Sequence, residues 1–436
     1  MTIALLSGLI IAVVLVVLLL AGIPISIVIG ISSLLAILPI LNFDAAVLTA
    51  AQRIFSGISV FTLIAIPFFI LAGNIMNKGG IAIRLINFAK ILSGRIPGAM
   101  AHTNAVANMM FGAISGSGVA AASAMGSIIG PIAEKDGYDK DFMATINIAT
   151  APTGLLIPPS NVLITYSLVS GGTSVAALFM AGYIPGILWG VSCMVVAFFI
   201  AKKKGYRTSE RVTMKQALKT TVEAIPSLLL ILIVIGGIIT GIFTATEGSV
   251  VAVAYSLILS IFFYKTIKVK ELYGIYKESA EMTGIIVFLI GVSSVMAWVM
   301  AFTGIPSAIS SALLGVSSNP IVILLIINLV LLFIGTFMDI TPAVLIFTPI
   351  FLPICMGLGM SAITFGIMIT FNLCIGTITP PVGNILFVGV KVAKTTIENV
   401  MLKLIPYYVA IFVVLMLTTY IPNITIWLPT LMGYKK

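Results

Sequence analysis

The chain has 436 residues, of which 60% are hydrophobic and only 8% are charged, and its net charge is +10. Soluble domains carry about 25% charged residues, and no soluble fold of this length could bury so much apolar surface. The composition therefore excludes a soluble protein. The basic residues are spread over short loops between apolar segments, which argues against nucleic-acid binding and fits the preference of Lys and Arg for the cytoplasmic side of a membrane.

Long uncharged segments begin at the N-terminus and recur along the chain. A helix needs about 20 apolar residues to cross the hydrocarbon core, and a chain in lipid must satisfy its backbone polar groups internally, so each segment is predicted to be helical. The clearest segments are Ile3 to Ala21, Ser227 to Phe243, Gly248 to Phe263 and Ile321 to Ile334. The predicted fold class is an all-α polytopic membrane protein.

The two halves of the chain contain an internal repeat. The segment Gly154-Leu-Leu-Ile-Pro-Pro-Ser-Asn161 resembles Gly376-Thr-Ile-Thr-Pro-Pro-Val-Gly-Asn384, which begins 222 residues later. Many transporters consist of two repeats that meet at the substrate site, so we predict a first repeat over 1–215 and a second over 216–436. The same offset pairs Pro131 with Pro353, Gly137 with Gly359 and Thr173 with Thr395.

The charges indicate that the repeats have opposite orientations. The connector from Lys78 to Arg95 carries four basic residues, whereas its counterpart from Gly304 to Asn319 carries no charge. Two further basic loops, Lys202 to Arg211 and Lys265 to Lys277, are separated by two crossings, as loops on one side must be. Because Lys and Arg favour the cytoplasm, we predict two inverted-topology repeats, each with five crossings and one re-entrant hairpin, and both termini outside.

Two compact segments rich in small residues are predicted to form the hairpins, Pro97 to Ile132 and Asn319 to Pro353. The distribution of basic residues places both ends of each segment on the same side of the membrane. Such hairpins are tolerated only where protein or a water-filled cavity surrounds them. Amphipathic stretches at Asp44 to Ser56 and Val269 to Glu281 are expected to lie along the membrane interface.

The two Pro-Pro motifs predict that one crossing in each half is broken. Consecutive prolines remove two amide donors and bias the preceding residue away from helix, so carbonyl oxygens are left free. Broken helices that present such oxygens to cations are a recurring transporter site, and Na⁺ is the expected ion; a kink without a ligand is the alternative. Polar side chains beside the breaks are Thr153, Ser160 and Asn161 in the first half and Thr377, Thr379 and Asn384 in the second.

The hairpins hold further candidate residues. In the first, Ser115-Gly-Ser117-Gly offers hydroxyl groups and a backbone that a ligand can approach closely, with small-residue helix packing as the alternative. In the second, Asp339 is the only acidic residue between Met282 and Ile397, and the 222-residue offset pairs it with Ser117. An ionisable group at membrane depth is costly, which favours a role in binding a cation or substrate over a cap near water.

Two other polar residues are assigned structural roles. Thr244-Ala-Thr-Glu247 before an apolar run predicts a capping box. His102, the sole histidine, is expected to make an ordinary hydrogen bond, with a proton relay as the alternative. The sequence contains neither a Gly-rich phosphate loop nor a His-Glu-x-x-His zinc motif, which disfavours a hydrolytic enzyme.

Taken together, these motifs resemble the large membrane (M) subunit of the tripartite ATP-independent periplasmic (TRAP) transporters over essentially the whole chain. The resemblance implies an elevator mechanism, with scaffold helices in 1–77 and 226–303 and a transport domain of hairpins and broken helices in 97–170 and 319–390. It also implies a bacterial inner-membrane location and two partners, a small four-helix membrane subunit (Q) and a periplasmic substrate-binding protein (P). The segments that carry it are Ala65 to Gly73, Ser115 to Gly118, Pro152 to Asn161, Gly241 to Glu247, Gly335 to Asp339 and Gly376 to Gly383.

The resemblance further implies that Na⁺ influx drives uptake of an organic acid, with about two ions bound near the broken helices. The residues implied for Na⁺ are Ser115, Gly116, Pro158 and Asn161 in the first half and Gly335, Thr336, Gly376, Thr379 and Pro380 in the second. The residues implied for the substrate are Ser115, Ser117, Ser160 and Asp339.

Within the family, Ala101 to Asn108 and Ser167 to Thr173 are most similar to the sialic acid group, so sialic acid (N-acetylneuraminate) is the expected substrate. Four-carbon dicarboxylates and sugar acids, which related members carry, are alternatives. Two classes outside this description also stay open: an ion-coupled carrier that acts without a binding protein, and an intramembrane enzyme.

Overall fold

The computed structural model describes residues 3–94, 96–206, 213–317 and 319–434. Arg95, Arg207 and Arg211, which the charge analysis assigned to basic loops, lie outside these residues. Every regular element in the described ranges is a helix. The predicted all-α fold is therefore confirmed for this part of the chain.

The first half contains a helical hairpin whose tip lies at Ser115, Gly116 and Ser117. Gly116 has a φ of 61°, a left-handed conformation that glycine adopts without steric cost. The Ser117 hydroxyl oxygen caps the next helix by accepting the N–H of Ala120, one of the free N–H groups in its first turn. In chain order the elements are α1 (Ile3–Leu20), α2 (Ile25–Ile37), α3 (Phe43–Ile58), a 3₁₀ turn (Phe61–Ile64), α4 (Ala65–Lys78), α5 (Ile81–Ser93), α6 (Ala99–Ser115), α7 (Gly118–Lys135), α8 (Lys140–Thr150), α9 (Thr153–Leu156), α10 (Asn161–Val169) and α11 (Val175–Lys204).

The second half repeats the hairpin at the same 222-residue offset, since α7 at 118–135 corresponds to an α17 at 340–357. The offset therefore relates helix bounds as well as motifs, whereas the opposite insertion of the two halves in a membrane stays a prediction. The elements are α12 (Met214–Ile239), α13 (Ala245–Ile258), a π-helical turn (Leu259–Phe263), α14 (Val269–Thr303), α15 (Ile305–Val316), α16 (Pro320–Phe337), α17 (Ile340–Gly357), α18 (Ala362–Gly376), α19 (Asn384–Val392), α20 (Ile397–Tyr420) and α21 (Asn423–Leu431).

Nine helices in the described part of the chain are long and apolar enough to cross a membrane, and α2 and α18 are shorter apolar helices. The nine include α16 and α17, the two arms of the second hairpin. Length and composition alone thus do not separate a re-entrant hairpin from a pair of crossings, and the predicted number of crossings stays a prediction.

Two local expectations are confirmed and one element differs. Thr244 and Glu247 form the capping box, with the Thr244 N–H donating to Glu247 Oε2 at 2.8 Å and the Glu247 N–H donating to Thr244 Oγ1 at 3.2 Å. His102 Nε2 lies 3.1 Å from the Pro97 carbonyl oxygen, an ordinary hydrogen bond.

The amphipathic stretch from Val269 is not a separate element. It is the start of the 35-residue helix α14, which continues to Gly304, a glycine whose left-handed conformation (φ of 73°) ends the helix.

The helices pack in two groups. In the first, α4 packs on α13, and α14 packs on α2, α3 and α4. In the second, α6 packs on α7, α8 and α9, α16 packs on α18, and α11 joins the halves through α20 and α21. Trp189 lies at the centre of this second group, where its ring stacks on Phe371 at 4.6 Å and its Nε1–H donates to the Ala149 carbonyl. Helix α17, which packs on α18 and thus belongs to the second group, also packs directly on α14, and α4 packs on α6. Helices α5 and α15 contact both groups.

Candidate functional site

Both Pro-Pro motifs interrupt a helix, as the sequence predicts. α8 and α9 end before a non-helical segment at 157–160, and α10 follows; α18 ends at Gly376, and the chain is non-helical until α19 begins. The Pro158–Pro159 and Pro380–Pro381 peptide bonds are both cis. Because the helix stops in each half, backbone carbonyls beside the break lack the N–H partner that a continuous helix would provide.

The tip of the first hairpin lies against the restart of the first broken helix. A Cβ added to Gly116 would lie 2.8 Å from Nδ2 of Asn161, so the Gly116 backbone and the Asn161 amide are in direct contact. Ser115 precedes this glycine, and its Oγ lies 3.3 Å from the Ser117 carbonyl oxygen. The structure thus brings together three of the four residues assigned to the first sodium site, while Pro158 lies within the break itself.

The tip of the second hairpin makes an analogous contact. Asp339 is the residue immediately before α17, it is exposed, and its Oδ1 accepts a hydrogen bond of 3.0 Å from Nδ2 of Asn384. Asn384 begins α19 as Asn161 begins α10. Each hairpin tip therefore contacts an asparagine that restarts a broken helix.

Pairs of glycines let a hairpin arm touch the broken helix. A Cβ on Gly154 would lie 2.1 Å from the carbonyl carbon of Gly112, and a Cβ on Gly376 would lie 2.2 Å from that of Gly335. Real Cβ atoms do not approach so closely, so only glycine fits at Gly154 and Gly376. The contact between Gly335 and Gly376 brings two residues of the second predicted sodium site together at backbone distance.

The remaining residues of that site lie beside the same contact. The Val382 N–H donates to the Thr336 carbonyl at 3.1 Å, which ties the break to the hairpin. The hydroxyl protons of Thr336 and Thr379 are donated to carbonyls within their own helical turns, at 2.7 and 2.8 Å, so their oxygen lone pairs can face a cation. Both threonines line one groove of about 440 Å³, whose other lining residues are apolar side chains and Tyr408. Pro380 follows Thr379 directly.

Ser160 has a structural role in the first break. It is fully buried, and its Oγ donates to the Leu155 carbonyl at 2.5 Å and accepts the Leu163 N–H at 3.3 Å. It therefore caps α10, as Ser117 caps α7. The assignment of these two serines to the substrate stays a prediction.

Neutral oxygens dominate the candidate site. The described residues contain no group of three or more His, Cys, Asp or Glu side chains that could hold a metal ion. A cation at the breaks would be held by backbone, hydroxyl and amide oxygens, which are ligands of hard ions. The chemistry of such a set fits Na⁺.

Two buried asparagine networks, which were not predicted from the sequence, connect a hairpin arm to a broken helix. In the first half, Asn108 of α6 contacts Asn147 and Thr150 of α8; in the second, the Asn372 amide donates to Asn328 Oδ1 at 2.7 Å. The available signal was the presence of asparagines in otherwise apolar helices, where polar side chains must find partners in neighbouring helices.

An ionic cluster joins the two halves at one end of the second helix group. Lys403 Nζ of α20 lies 3.3 Å from Asp139 and 3.0 Å from Asp141, and Lys204 Nζ of α11 lies 3.3 Å from Asp139. Burial acts to raise the pKa of Asp139, but the backbone N–H groups of Phe142 and Asp141 and the charge of Lys403 outweigh it, and the pKa is lowered.

Comparison with known proteins agrees with this architecture. Residues 12–424 match the family described as the tripartite ATP-independent periplasmic transporter, DctM component. Because this match spans nearly the whole chain, the chain belongs to this family. The helical architecture with paired hairpins and broken helices is the one expected for a permease. The chain is a subunit of a tripartite transporter and a multi-pass protein of the inner membrane, as the resemblance implied.

Relatives and a solved structure support the assignment. The chain is 53% identical to the uncharacterized protein YgiK of Salmonella typhimurium, with 94% of each chain covered. It is 38% identical to the sialic acid TRAP transporter large permease protein SiaM of Vibrio cholerae (91% and 93% covered) and 37% identical to the C4-dicarboxylate TRAP transporter large permease protein DctM of that organism (94% and 95%). The crystal structure of the Alcanivorax borkumensis YdaH transporter has the same fold, with a TM-score of 0.66 at 12% identity, and the alignment covers 92% of this chain and 91% of that one.

Proposed function

We propose that this subunit imports an organic acid together with Na⁺ by an elevator movement. The observation that carries the proposal is the duplicated contact between a hairpin tip and the asparagine that restarts a broken helix, Gly116 with Asn161 and Asp339 with Asn384. In each half this contact adjoins backbone and hydroxyl oxygens, and the substrate is proposed to bind between the two tips.

In this mechanism, Na⁺ binding determines when the substrate can bind, and Na⁺ entry provides the energy for uptake. A cation held by oxygens of the tip and of the broken helix would fasten the two together, which completes the substrate site only when Na⁺ is present. Each positive charge that enters a cell with a negative interior gains about 2.3 kcal/mol per 100 mV. About two Na⁺ ions would therefore offset the charge of a carboxylate substrate and still favour uptake.

The two helix groups are proposed to be the scaffold and the moving transport domain. The connection between the groups includes α5 and α15, and α5 is preceded by Gly80 with a φ of 71° and followed by Gly94 with a φ of 56°. Hinges are short segments that absorb backbone rotation, and glycines can do so at low cost. The groups would move relative to each other about these ends of α5 and the corresponding ends of α15.

Sialic acid is the first candidate substrate, because Ala101 to Asn108 and Ser167 to Thr173 are most similar to that group. A four-carbon dicarboxylate is the second, because relatives named for either substrate reach the same identity of 38%. A periplasmic binding protein and a small four-helix membrane subunit are the proposed partners. The binding protein would deliver the acid and contribute much of the selectivity.

Uptake into proteoliposomes that contain this chain and the small subunit tests the proposal. With the binding protein present and an inward Na⁺ gradient, labelled sialic acid should accumulate unchanged, and replacing Na⁺ by choline should reduce accumulation to background. Accumulation of succinate instead would select the dicarboxylate alternative. Uptake by the chain without the binding protein would refute the tripartite mechanism, and chemical conversion of the acid would indicate an enzyme.

A further inference from the structure

The buried amide of Asn108 has an unusual hydrogen-bond environment. Its nitrogen, Nδ2, lies close to four oxygens although it carries only two hydrogens, while its own oxygen, Oδ1, has no partner among the described residues. The four oxygens are Oδ1 of Asn104 at 2.8 Å, Oγ1 of Thr150 at 2.9 Å, and Oδ1 and the carbonyl oxygen of Asn147 at 3.1 and 3.3 Å. Oxygens that converge in excess of the available protons are typical of a site that can hold a cation.

The surrounding contacts hold these oxygens in place. Nδ2 of Asn147 donates to the Ala122 carbonyl at 2.7 Å, which directs the Asn147 oxygen towards Asn108. The Thr150 hydroxyl donates to the Ile146 carbonyl at 2.7 Å, which leaves its lone pairs free to face the cluster. All four residues of the cluster are at most 2% exposed.

We propose that Asn104, Asn108, Asn147 and Thr150 form a further monovalent-cation site, separate from the two at the breaks, which binds Na⁺. A half-turn of the Asn108 amide exchanges its nitrogen and oxygen and adds a fifth oxygen ligand. Without a cation this orientation would place three side-chain carbonyl oxygens against one another, so the half-turn and ion binding occur together. Five neutral oxygens and no carboxylate suit an ion of single charge.

A cavity with several polar and charged side chains in its wall would give the ion a route to this site. The cavity has a volume of about 440 Å³, and its wall includes Asn104 and Asn147 of the cluster together with Ser127, Glu134 and Lys140. A cavity of this volume, with polar groups in part of its wall, can hold several water molecules. Ion binding would fasten α6 of the first hairpin to α8 of the broken helix, because the ligands come from both.

The second half provides a matched control. The Asn372 amide is also fully buried and its Oδ1 is also without a partner in the described ranges, but its nitrogen has only two acceptors, Asn328 Oδ1 at 2.7 Å and the Met368 carbonyl at 2.8 Å. Asn372 therefore has an amide oxygen without a partner, as Asn108 does. Its nitrogen, however, is not surrounded by more oxygens than it has hydrogens. Asn108→Leu and Asn372→Leu remove the same group in the two environments.

Equilibrium binding of ²²Na⁺ to the purified full-length subunit, with size-exclusion and thermal melting to verify folding, tests the site. Asn108→Leu should bind one Na⁺ fewer per chain than the wild type, and Asn372→Leu should bind as many. Thr150→Val, which preserves shape and removes one ligand, should raise the Na⁺ dissociation constant about tenfold.

Three results would overturn the proposal: wild-type Na⁺ stoichiometry and affinity in Asn108→Leu, an equal loss of one ion in Asn372→Leu, or unchanged affinity in Thr150→Val. If Asn108→Leu does not fold, the Na⁺ affinity of Thr150→Val tests the site on its own. The proposal rests on the proposed function only for the identity of the ion, Na⁺. The experiment measures the number of ions bound per chain and does not depend on transport. Loss of an ion in Asn108→Leu alone, with none lost in Asn161→Ala, would support this site and count against the break site.

Discussion

Oδ1 of Asp339 accepts a 3.0 Å hydrogen bond from Nδ2 of Asn384, across the gap between the second hairpin and the restart of α19. The corresponding contact in the first half, between Gly116 and Asn161, involves no charge. The two tips are thus alike in geometry and different in electrostatics. A carboxylate would repel an anionic substrate, so Asp339 can contribute to binding only through a cation or by accepting from a substrate hydroxyl or amide group.

The change Asp339→Asn should therefore lower uptake even though the side-chain shape is retained. The cation, or the substrate hydroxyl or amide group, would lose its contact with a charged oxygen. Hydrogen bonds to charged groups contribute about 1.5–3 kcal/mol, so a loss of roughly tenfold or more in the uptake rate is expected at subsaturating substrate. Asn384→Ala, which removes the hydrogen bond and keeps the charge, should have the smaller effect. Wild-type uptake by Asp339→Asn would remove this residue from the site.

Gly154→Ala and Gly376→Ala should destabilise the protein, because the new methyl groups would meet backbone atoms at 2.1 and 2.2 Å. Overpacking of this kind costs about 1–3 kcal/mol and sometimes more. Gly236→Ala is the control, since no atom lies within 4 Å of the position that its Cβ would take within α12. Melting temperatures measured in detergent should fall for the first two variants only. An equal melting temperature for all three would show that the helices can separate freely at these contacts.

The cluster of Lys403 with Asp139 and Asp141 predicts a pH-dependent stability. The pKa of Asp139 is lower in the folded protein than its unfolded value of about 3.9. The ionised carboxylate thus stabilises the fold above about pH 4, and this contribution is lost as the pH falls through the folded pKa. Lys403→Met should lower the melting temperature at pH 7, and the difference from the wild type should shrink below about pH 4.

Lys219 offers a control for that experiment, because its ion pair with Glu223 is long, at 3.9 Å, and exposed. Exposed pairs of this type contribute little, so Lys219→Met should melt like the wild type throughout. A difference between Lys403→Met and the wild type that stays constant from pH 7 to pH 3 would argue against an electrostatic origin.

The sequence predicted the features that depend on local chemistry. Apolar length predicted helices, and paired prolines predicted the interruptions at 157–160 and after Gly376. Thr244 and Glu247 predicted their capping box, because its members are three residues apart.

Features that depend on distant contacts were not predictable from the sequence alone. Asn108 meets partners about 40 residues away on another helix, and Lys403 meets Asp139 across the two halves. No local pattern encodes such pairings, since the packing of whole helices determines which polar side chains face each other. The contact of Gly154 with Gly112 was hidden for the same reason, although the glycine itself was visible in the motif.

The most direct test of the account concerns the two sodium sites at the breaks. Uptake is measured as a function of Na⁺ concentration, at constant ionic strength with choline, for the wild type, Asn161→Ala and Thr379→Val. The account predicts that each variant requires about tenfold more Na⁺ for half-maximal uptake, with maximal uptake recovered at high Na⁺. An unchanged Na⁺ dependence in both folded variants would contradict the claim that the broken helices bind the ions.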